Sequence, residues 1–309
     1  MASSKLTGTR LFWECFKLTR LHKFPLGSLV IIWPAAFGVA MASYATRATL
    51  EDFLVKIGLF TLGGTCLHSS FCVLNDIYDR DLDGQVERTK TRPLVTGAIS
   101  LPLAWFVFLC CLSTTALLLS FANSSAVFFG MLSLPLHFIY PYSKRFTWWP
   151  QAWLGISNGW SFFVGWISVS GTEVSHAQVK AMLAMYGCMI CWTIYFDTIY
   201  ATQDRKDDER VGIKSTARLF GAQLHFITAL FATAMVALLV TGGTFNDHGL
   251  PYFAVSCPAA AVYFLWQMAS WDINNDQQSG ELFKGNGYLG FVIFAGMAAD
   301  VMWTRPALV

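Results

Sequence analysis

Asn75, Asp76, Asp79 and Asp83 stand at i, i+1, i+4 and i+8 at the end of a long apolar run. On a helix that spacing puts their side chains on one face over two turns. Ionised acids cost several kcal/mol within a membrane and persist there where they have a function. Asp204 and Asp208 repeat the pattern at i and i+4 after a second apolar run, with Asp207 beside them and Asp197 about two turns earlier. Where two such helix ends meet, carboxylate and amide oxygens from both converge. Hard oxygen donors of this kind suit Mg2+, which binds through one or two carboxylates together with ligand phosphates. Arg80, Arg88, Arg92, Lys144, Arg145, Arg205 and Lys206 lie close enough in sequence to grip the same phosphates.

The elements that must carry these clusters follow from composition. Apolar residues make up 55% of the 309 residues and charged residues 13%, against about a quarter charged in a soluble domain. With about 20 apolar residues per crossing, the spans fall at 24–45, 53–74, 101–120, 123–140, 150–170, 178–199, 222–242, 250–270 and 286–304. The expectation is an all-α, polytopic membrane protein of about nine helices in one domain, residues 24–309, after an N-terminal segment, 1–23. The longest polar connections, 75–100 and 200–221, each follow an even-numbered span and each run from acids to bases. They form a weak internal repeat.

An odd number of spans fixes the side of every loop. Of the 21 Lys and Arg residues, 17 fall on the side of the N-terminus, as do 14 of the 19 acids. Excess Lys and Arg mark the cytosolic side, so that face is expected towards the cytosol, in an endomembrane such as the endoplasmic reticulum, or towards the matrix in a mitochondrial inner membrane. Both signs of charge crowd one face, as a site for a charged ligand requires. The eight cysteines are scattered, seven of them within spans, and the lone Cys188/Cys191 pair has no second pair to complete a zinc site. They read as core residues. The first 23 residues, with five bases and only Glu14 as an acid, have the composition of a targeting segment but run straight into the first span. No cleavable signal is expected.

NDxxDxxxD at Asn75–Asp83 and DxxxD at Asp204–Asp208 resemble the two signatures of the UbiA superfamily of intramembrane prenyltransferases. The likeness extends to Glu87–Leu94, to Tyr140-Pro-Tyr-Ser-Lys144-Arg145 with its YxxxK spacing, and to Trp149-Pro150-Gln151. Asp197–Asp208 and Gly212–Ala217 are similar to the branch that prenylates 4-hydroxybenzoate. The resemblance implies helices around a central cavity with a polar cap on the cytosolic side, and transfer of an isoprenoid from its diphosphate to an aromatic acceptor. It assigns one Mg2+ to Asn75, Asp76, Asp79 and Asp83 and a second to Asp204 and Asp208. It makes Arg88, Arg92, Lys144 and Lys214 cationic partners of the diphosphate, with Arg145 beside them. It places Arg20 in the acceptor pocket, although Leu21–Pro25 carries an extra residue relative to the usual spacing.

That chemistry explains the residue types. Departure of an allylic diphosphate needs its developing charge neutralised in a dry site. The allyl cation left behind needs aromatic faces that attract it without attacking it, and Tyr140 and Tyr200 sit beside the motifs for this. The acceptor loses a ring proton, which Asp79 or Asp197 is placed to accept. His68 is read as a satisfied intramembrane histidine. The short N-terminal segment favours a fungal enzyme joining a farnesyl-sized chain to an orsellinate-type phenolic acid on the way to a meroterpenoid. The alternative is a mitochondrial 4-hydroxybenzoate polyprenyltransferase of ubiquinone synthesis. A secondary transporter would also hold central acids but has no need of these motifs. The partners expected are the diphosphate, the phenolic acid and the lipid bilayer, with no nucleic acid.

Overall fold

A computed structural model describes residues 8–303, so Lys5 and Arg305, counted above, lie outside the described residues. The described residues fold entirely as helices and turns: α1 (Gly8–Leu18), α2 (Leu26–Thr46), α3 (Leu50–Asp83), α4 (Leu101–Leu119), α5 (Ser124–Phe146), α6 (Pro150–Ser170), α7 (His176–Ala201), α8 (Arg205–Val211), α9 (Thr216–Leu219), α10 (Leu224–Phe245), α11 (Cys257–Ser270) and α12 (Asp276–Trp303). Eight helices among the described residues are long and apolar enough to cross a membrane. The span expected at 150–170 coincides with α6, 21 residues long, which falls outside those eight. Its Gln151, Ser157, Asn158 and Ser168 lower its apolarity, and all four are buried against protein rather than lipid.

Helix α2 is the post of the bundle. Leu29, Val30, Trp33, Phe37, Val39 and Met41 are all buried, and the helix packs on α3, α6 and α12. Two glycines set the α2–α6 crossing. A Cβ at Gly38 would stand 2.2 Å from the Phe162 carbonyl oxygen, and one at Gly165 would stand 2.2 Å from that of Ala35. Small residues at a helix crossing let backbones approach and give dispersion contacts that lipid cannot match.

Helix α3 begins at a Thr49 cap, whose hydroxyl accepts from the Asp52 amide at 3.1 Å. At 34 residues it is about 50 Å long, well beyond a hydrocarbon core of about 30 Å. Its last turns therefore project past the apolar zone and carry Asn75–Asp83 on continuous helix, where the sequence reading begins a connection at 75. Helix α12 likewise starts ten residues ahead of the apolar run expected at 286. Helix α1 was not expected. It turns into α2 through Arg20 in a left-handed conformation (φ 62°), and it packs Leu18 against Phe71, Leu74, Leu94 and Ile99.

Gly165→Leu should lower the thermal unfolding midpoint of the detergent-solubilised protein, by an equivalent of about 1–3 kcal/mol. A midpoint equal to wild type would contradict the close α2–α6 contact.

Candidate active site

The end of α3 is a row of buried acids, with Asp76 1%, Asp79 3% and Asp83 7% exposed. Each meets a cation delivered by a different element. From the α1–α2 turn, Arg20 Nη2 donates to both oxygens of Asp76, at 2.7 and 3.0 Å. From the connection after α3, Arg92 Nη1 bridges Asp76 at 3.0 Å and Asp83 at 2.5 Å. From the end of α5, Lys144 Nζ donates to Asp79 Oδ2 at 2.5 Å. Arg145, one residue on, donates to the Tyr78 carbonyl at 2.8 Å and stands 3.9 Å from Asp79 Oδ1. Asn75 is half-buried beside them.

The second cluster begins where α7 tightens into a 3-10 turn, Thr202–Asp204. Arg88 grips Asp204 with two bonds, Nε to Oδ1 at 2.8 Å and Nη2 to Oδ2 at 2.5 Å, and donates from Nη1 to the Tyr200 hydroxyl at 3.0 Å. Its guanidinium also lies 5.1 Å from the centre of the Tyr200 ring. Burial acts to lower the Arg88 pKa, but the hydrogen bonds it donates to Asp204 and the negative charges around it outweigh that and raise it. The guanidinium is therefore a permanent charge.

The two clusters share one electrostatic space. Lys144 acts on Asp197 and Asp208 as well as Asp79, and Arg88 acts on Asp83, Asp197 and Asp208 as well as Asp204. Tyr140 lies on α5, four residues before Lys144. Among the described residues no three His, Cys, Asp or Glu side chains stand together as a preformed metal cage. The acids pair with Arg and Lys instead of with one another. The donor set nevertheless fits Mg2+. It is all oxygen, and Asp79 Oδ1 is buried without a hydrogen bond, an acceptor whose natural partner is a cation.

Lys214, a cationic partner of the diphosphate by resemblance, lies on the connection between α8 and α9. Its ammonium lies 3.4 Å from the Phe146 carbonyl oxygen and 6.0 Å from the centre of the Trp148 ring. Two further groups carried no role in the sequence reading. Asp207 Oδ2 accepts from the Glu87 amide at 2.9 Å, and Arg210 bonds both Asp207 and the Gln85 carbonyl, so the two polar connections are clipped together. Gln151, buried at the start of α6, accepts from the Thr216 amide at 3.0 Å. The sequence reading had it in the Trp149-Pro150-Gln151 motif but gave it no role. His68 is satisfied as expected, with Ser28 Oγ at 3.1 Å and Cys72 Sγ at 3.3 Å.

Known proteins place this geometry in a family. Residues 31–294 match the UbiA prenyltransferase family. The chain is 37% identical over 289 residues to a UbiA prenyltransferase of Ampulloclitocybe clavipes, covering 93% of this chain and 90% of that one. It is 35% identical over 286 residues to the mitochondrial 4-hydroxybenzoate polyprenyltransferase of Caenorhabditis elegans, covering 93% and 78%. A UbiA homolog from Aeropyrum pernix K1, solved in its apo form, matches with a TM-score of 0.72 at 25% identity over 88% of this chain and 97% of that one. A UbiA homolog from Archaeoglobus fulgidus, bound to GPP and Mg2+, shares the fold with a TM-score of 0.63 at 19% identity over 94% and 99%. Matched along nearly its whole length by family model, relatives and fold, the protein belongs to the UbiA prenyltransferase family and is a multi-pass membrane transferase of isoprenyl groups.

Proposed function

We propose that the protein joins an isoprenyl group, of farnesyl size, from its diphosphate to a ring carbon of an orsellinate-type phenolic acid, with Mg2+ as cofactor. The observation that carries the reading is the pairing of buried and half-buried acids with Arg20, Arg88, Arg92 and Lys144. Each of those cations is of the kind a diphosphate attracts. Each acid is of the kind that holds a divalent ion against phosphate oxygens. Asn75, Asp76, Asp79 and Asp83 would hold one Mg2+, and Asp204 and Asp208 the other. Bound there, Mg2+ supplies Lewis-acid stabilisation of the leaving diphosphate.

The chain's own groups do the rest. Arg88, Arg92 and Lys144 neutralise the diphosphate as its C–O bond breaks and the bonding pair leaves with oxygen. Arg145 stands beside them, and Arg20 would orient the acceptor's carboxylate. Tyr200 caps a run of rings, packing on Phe283 with centroids 4.5 Å apart, and Phe283 packs on Phe196 at 5.6 Å. These faces and Tyr140 shelter the allyl cation from water. The acceptor's ring carbon forms the new C–C bond, and its ring proton passes to the Asp197 carboxylate, which restores aromaticity. The identity to the Caenorhabditis elegans protein gives equal support to a second reading, a mitochondrial 4-hydroxybenzoate polyprenyltransferase.

Membranes expressing the chain, given Mg2+ and geranyl, farnesyl and geranylgeranyl diphosphates with orsellinic acid or 4-hydroxybenzoate, should yield a farnesylated orsellinate by mass spectrometry. Product from 4-hydroxybenzoate alone would move the assignment to the second reading. Asp76→Ala and Asp204→Ala should each cut turnover by about a thousandfold or more while the protein still inserts and elutes as a folded species. Substantial turnover in both would sink the two-site arrangement. Asp197→Asn should lose turnover while diphosphate binding persists, and normal turnover would remove Asp197 as proton acceptor.

A further inference from the structure

After α3 the chain makes a series of turns, in which the Gln85 and Thr89 amides donate to the Leu82 and Val86 carbonyls at 2.9 and 3.1 Å. Two peptide groups of this stretch, the Gln85 carbonyl and the Glu87 amide, have no backbone partner among the described residues. Both are met from α8. Asp207 Oδ2 accepts from the Glu87 amide at 2.9 Å, and Arg210 Nη2 donates to the Gln85 carbonyl. Arg210 Nη2 also donates to Asp207 Oδ1 at 3.0 Å, so one carboxylate and one guanidinium, a turn apart on α8, hold both peptide groups together. A cavity of about 440 Å3 is lined by Gln85, Glu87, Asp207 and Arg210. The bonds thus cross an open seam rather than a packed one.

The residue that follows Glu87 is Arg88, whose Nε and Nη2 grip Asp204 and whose Nη1 reaches the Tyr200 hydroxyl. That grip cannot by itself keep Arg88 in place through the reaction. In the reading given above, Asp204 turns to a divalent ion and Arg88 to the diphosphate, so the two part as the substrates bind. The place of the guanidinium then depends on the backbone that carries it. Asp207 is 28% exposed and Arg210 64%, and exposed ion pairs of this kind add little to stability. Their worth lies in the turn they hold.

We infer that Asp207 and Arg210 are positioning residues: bonded to the peptide groups of Gln85 and Glu87, they keep the Arg88 guanidinium at the diphosphate site once Asp204 has exchanged it for an ion. The inference rests on the reading of Arg88 and Asp204 given above. A long side chain on a free turn must be ordered anew each time a ligand binds, whereas one on a fixed turn is ordered already. Asp207 adjoins Asp208 in sequence, yet its two oxygens are committed elsewhere, Oδ2 to the Glu87 amide and Oδ1 to Arg210. It serves the backbone of the neighbouring connection, and through it Arg88.

A double-mutant cycle tests it. Asp207→Ala removes the acceptor, Arg210→Met removes the donor, and each is made in the full chain and again in an Arg88→Met background. Arg210→Met changes an exposed side chain, which keeps the test open should Asp207→Ala fold poorly. Folding is checked by gel filtration and thermal melting in detergent, and a non-reactive farnesyl thiodiphosphate is titrated calorimetrically in Mg2+. Asp207→Ala and Arg210→Met should each weaken binding by about threefold to tenfold. In the Arg88→Met background the same changes should alter it by less than about 1.5-fold, since no guanidinium is left to position. Losses that multiply in that background would mean that the clip acts otherwise than through Arg88, and would overturn the inference. Wild-type affinity in both single variants would overturn it as well. So would a raised Mg2+ requirement in Asp207→Ala beside wild-type affinity in Arg210→Met, which would make Asp207 an ion ligand. Failure of the underlying reading looks different. If Arg88→Met binds as tightly as wild type, Arg88 does not hold the diphosphate and the inference falls with that reading. If Arg88→Met binds weakly and the clip variants bind normally, only the positioning role fails.

Discussion

Buried carboxylates at the end of α3 must be neutralised, and this constraint organises the whole face of the molecule that carries them. Three acids at most 7% exposed would each cost several kcal/mol unpaired. The chain meets that cost by bringing Arg20, Arg92 and Lys144 from three separate elements onto one helix. Removing one partner of such a pair typically costs about 3–5 kcal/mol, because the other charge is stranded. The left-handed turn at Arg20 and the course of residues 84–100 follow from where these cations must arrive. The same pairs make the site receptive: a phosphate group offers the cations new acceptors, and a divalent ion offers the acids a new counter-charge.

Rigidity below the site comes from a different source. The α2–α6 crossing at Gly38 and Gly165 leaves no room for sliding, and α6 in turn seats Gln151 at its head. Buried amides and indoles lock the neighbouring helices. Trp192 Nε1 donates to Asn286 at 2.9 Å, and Tyr195 donates to Gln267 at the same distance. Polar groups inside an apolar bundle must find partners within it, so these bonds fix the register of α7 against α11 and α12. That register sets Phe196 and Tyr200 against Phe283, with Tyr200 bonded to Arg88. A dry aromatic wall and a charged rim thus meet at the end of α7, where an allylic diphosphate needs both.

The sequence was most legible where information is local. The i, i+1, i+4, i+8 spacing of Asn75, Asp76, Asp79 and Asp83 is a property of one helix, and the apolar runs are properties of single segments, so the all-helical membrane fold could be read directly. Helix ends were harder, since α3 and α12 continue past their apolar stretches on polar residues that favour helix as readily as a loop. Long-range partners were not legible. Arg20 and Asp76 lie 56 positions apart, Arg88 and Asp204 lie 116 apart, and nothing in the spacing of either pair announces them. The bond from the Lys214 amide to the Lys144 carbonyl, 70 positions back, is equally invisible in the sequence. Gln151 was noticed within a motif, but its partner Thr216, 65 positions on, was not legible.

The central claim is that the acids and cations now paired with one another receive a divalent ion and a diphosphate together. Isothermal titration of the purified protein in detergent with a non-reactive farnesyl thiodiphosphate, in Mg2+ and then with a chelator, addresses it directly. The account predicts binding in Mg2+ that weakens by about tenfold or more once the ion is removed. Equal affinity in both conditions would show that the arginines and Lys144 hold the diphosphate alone, and that the buried acids serve only to pair with them.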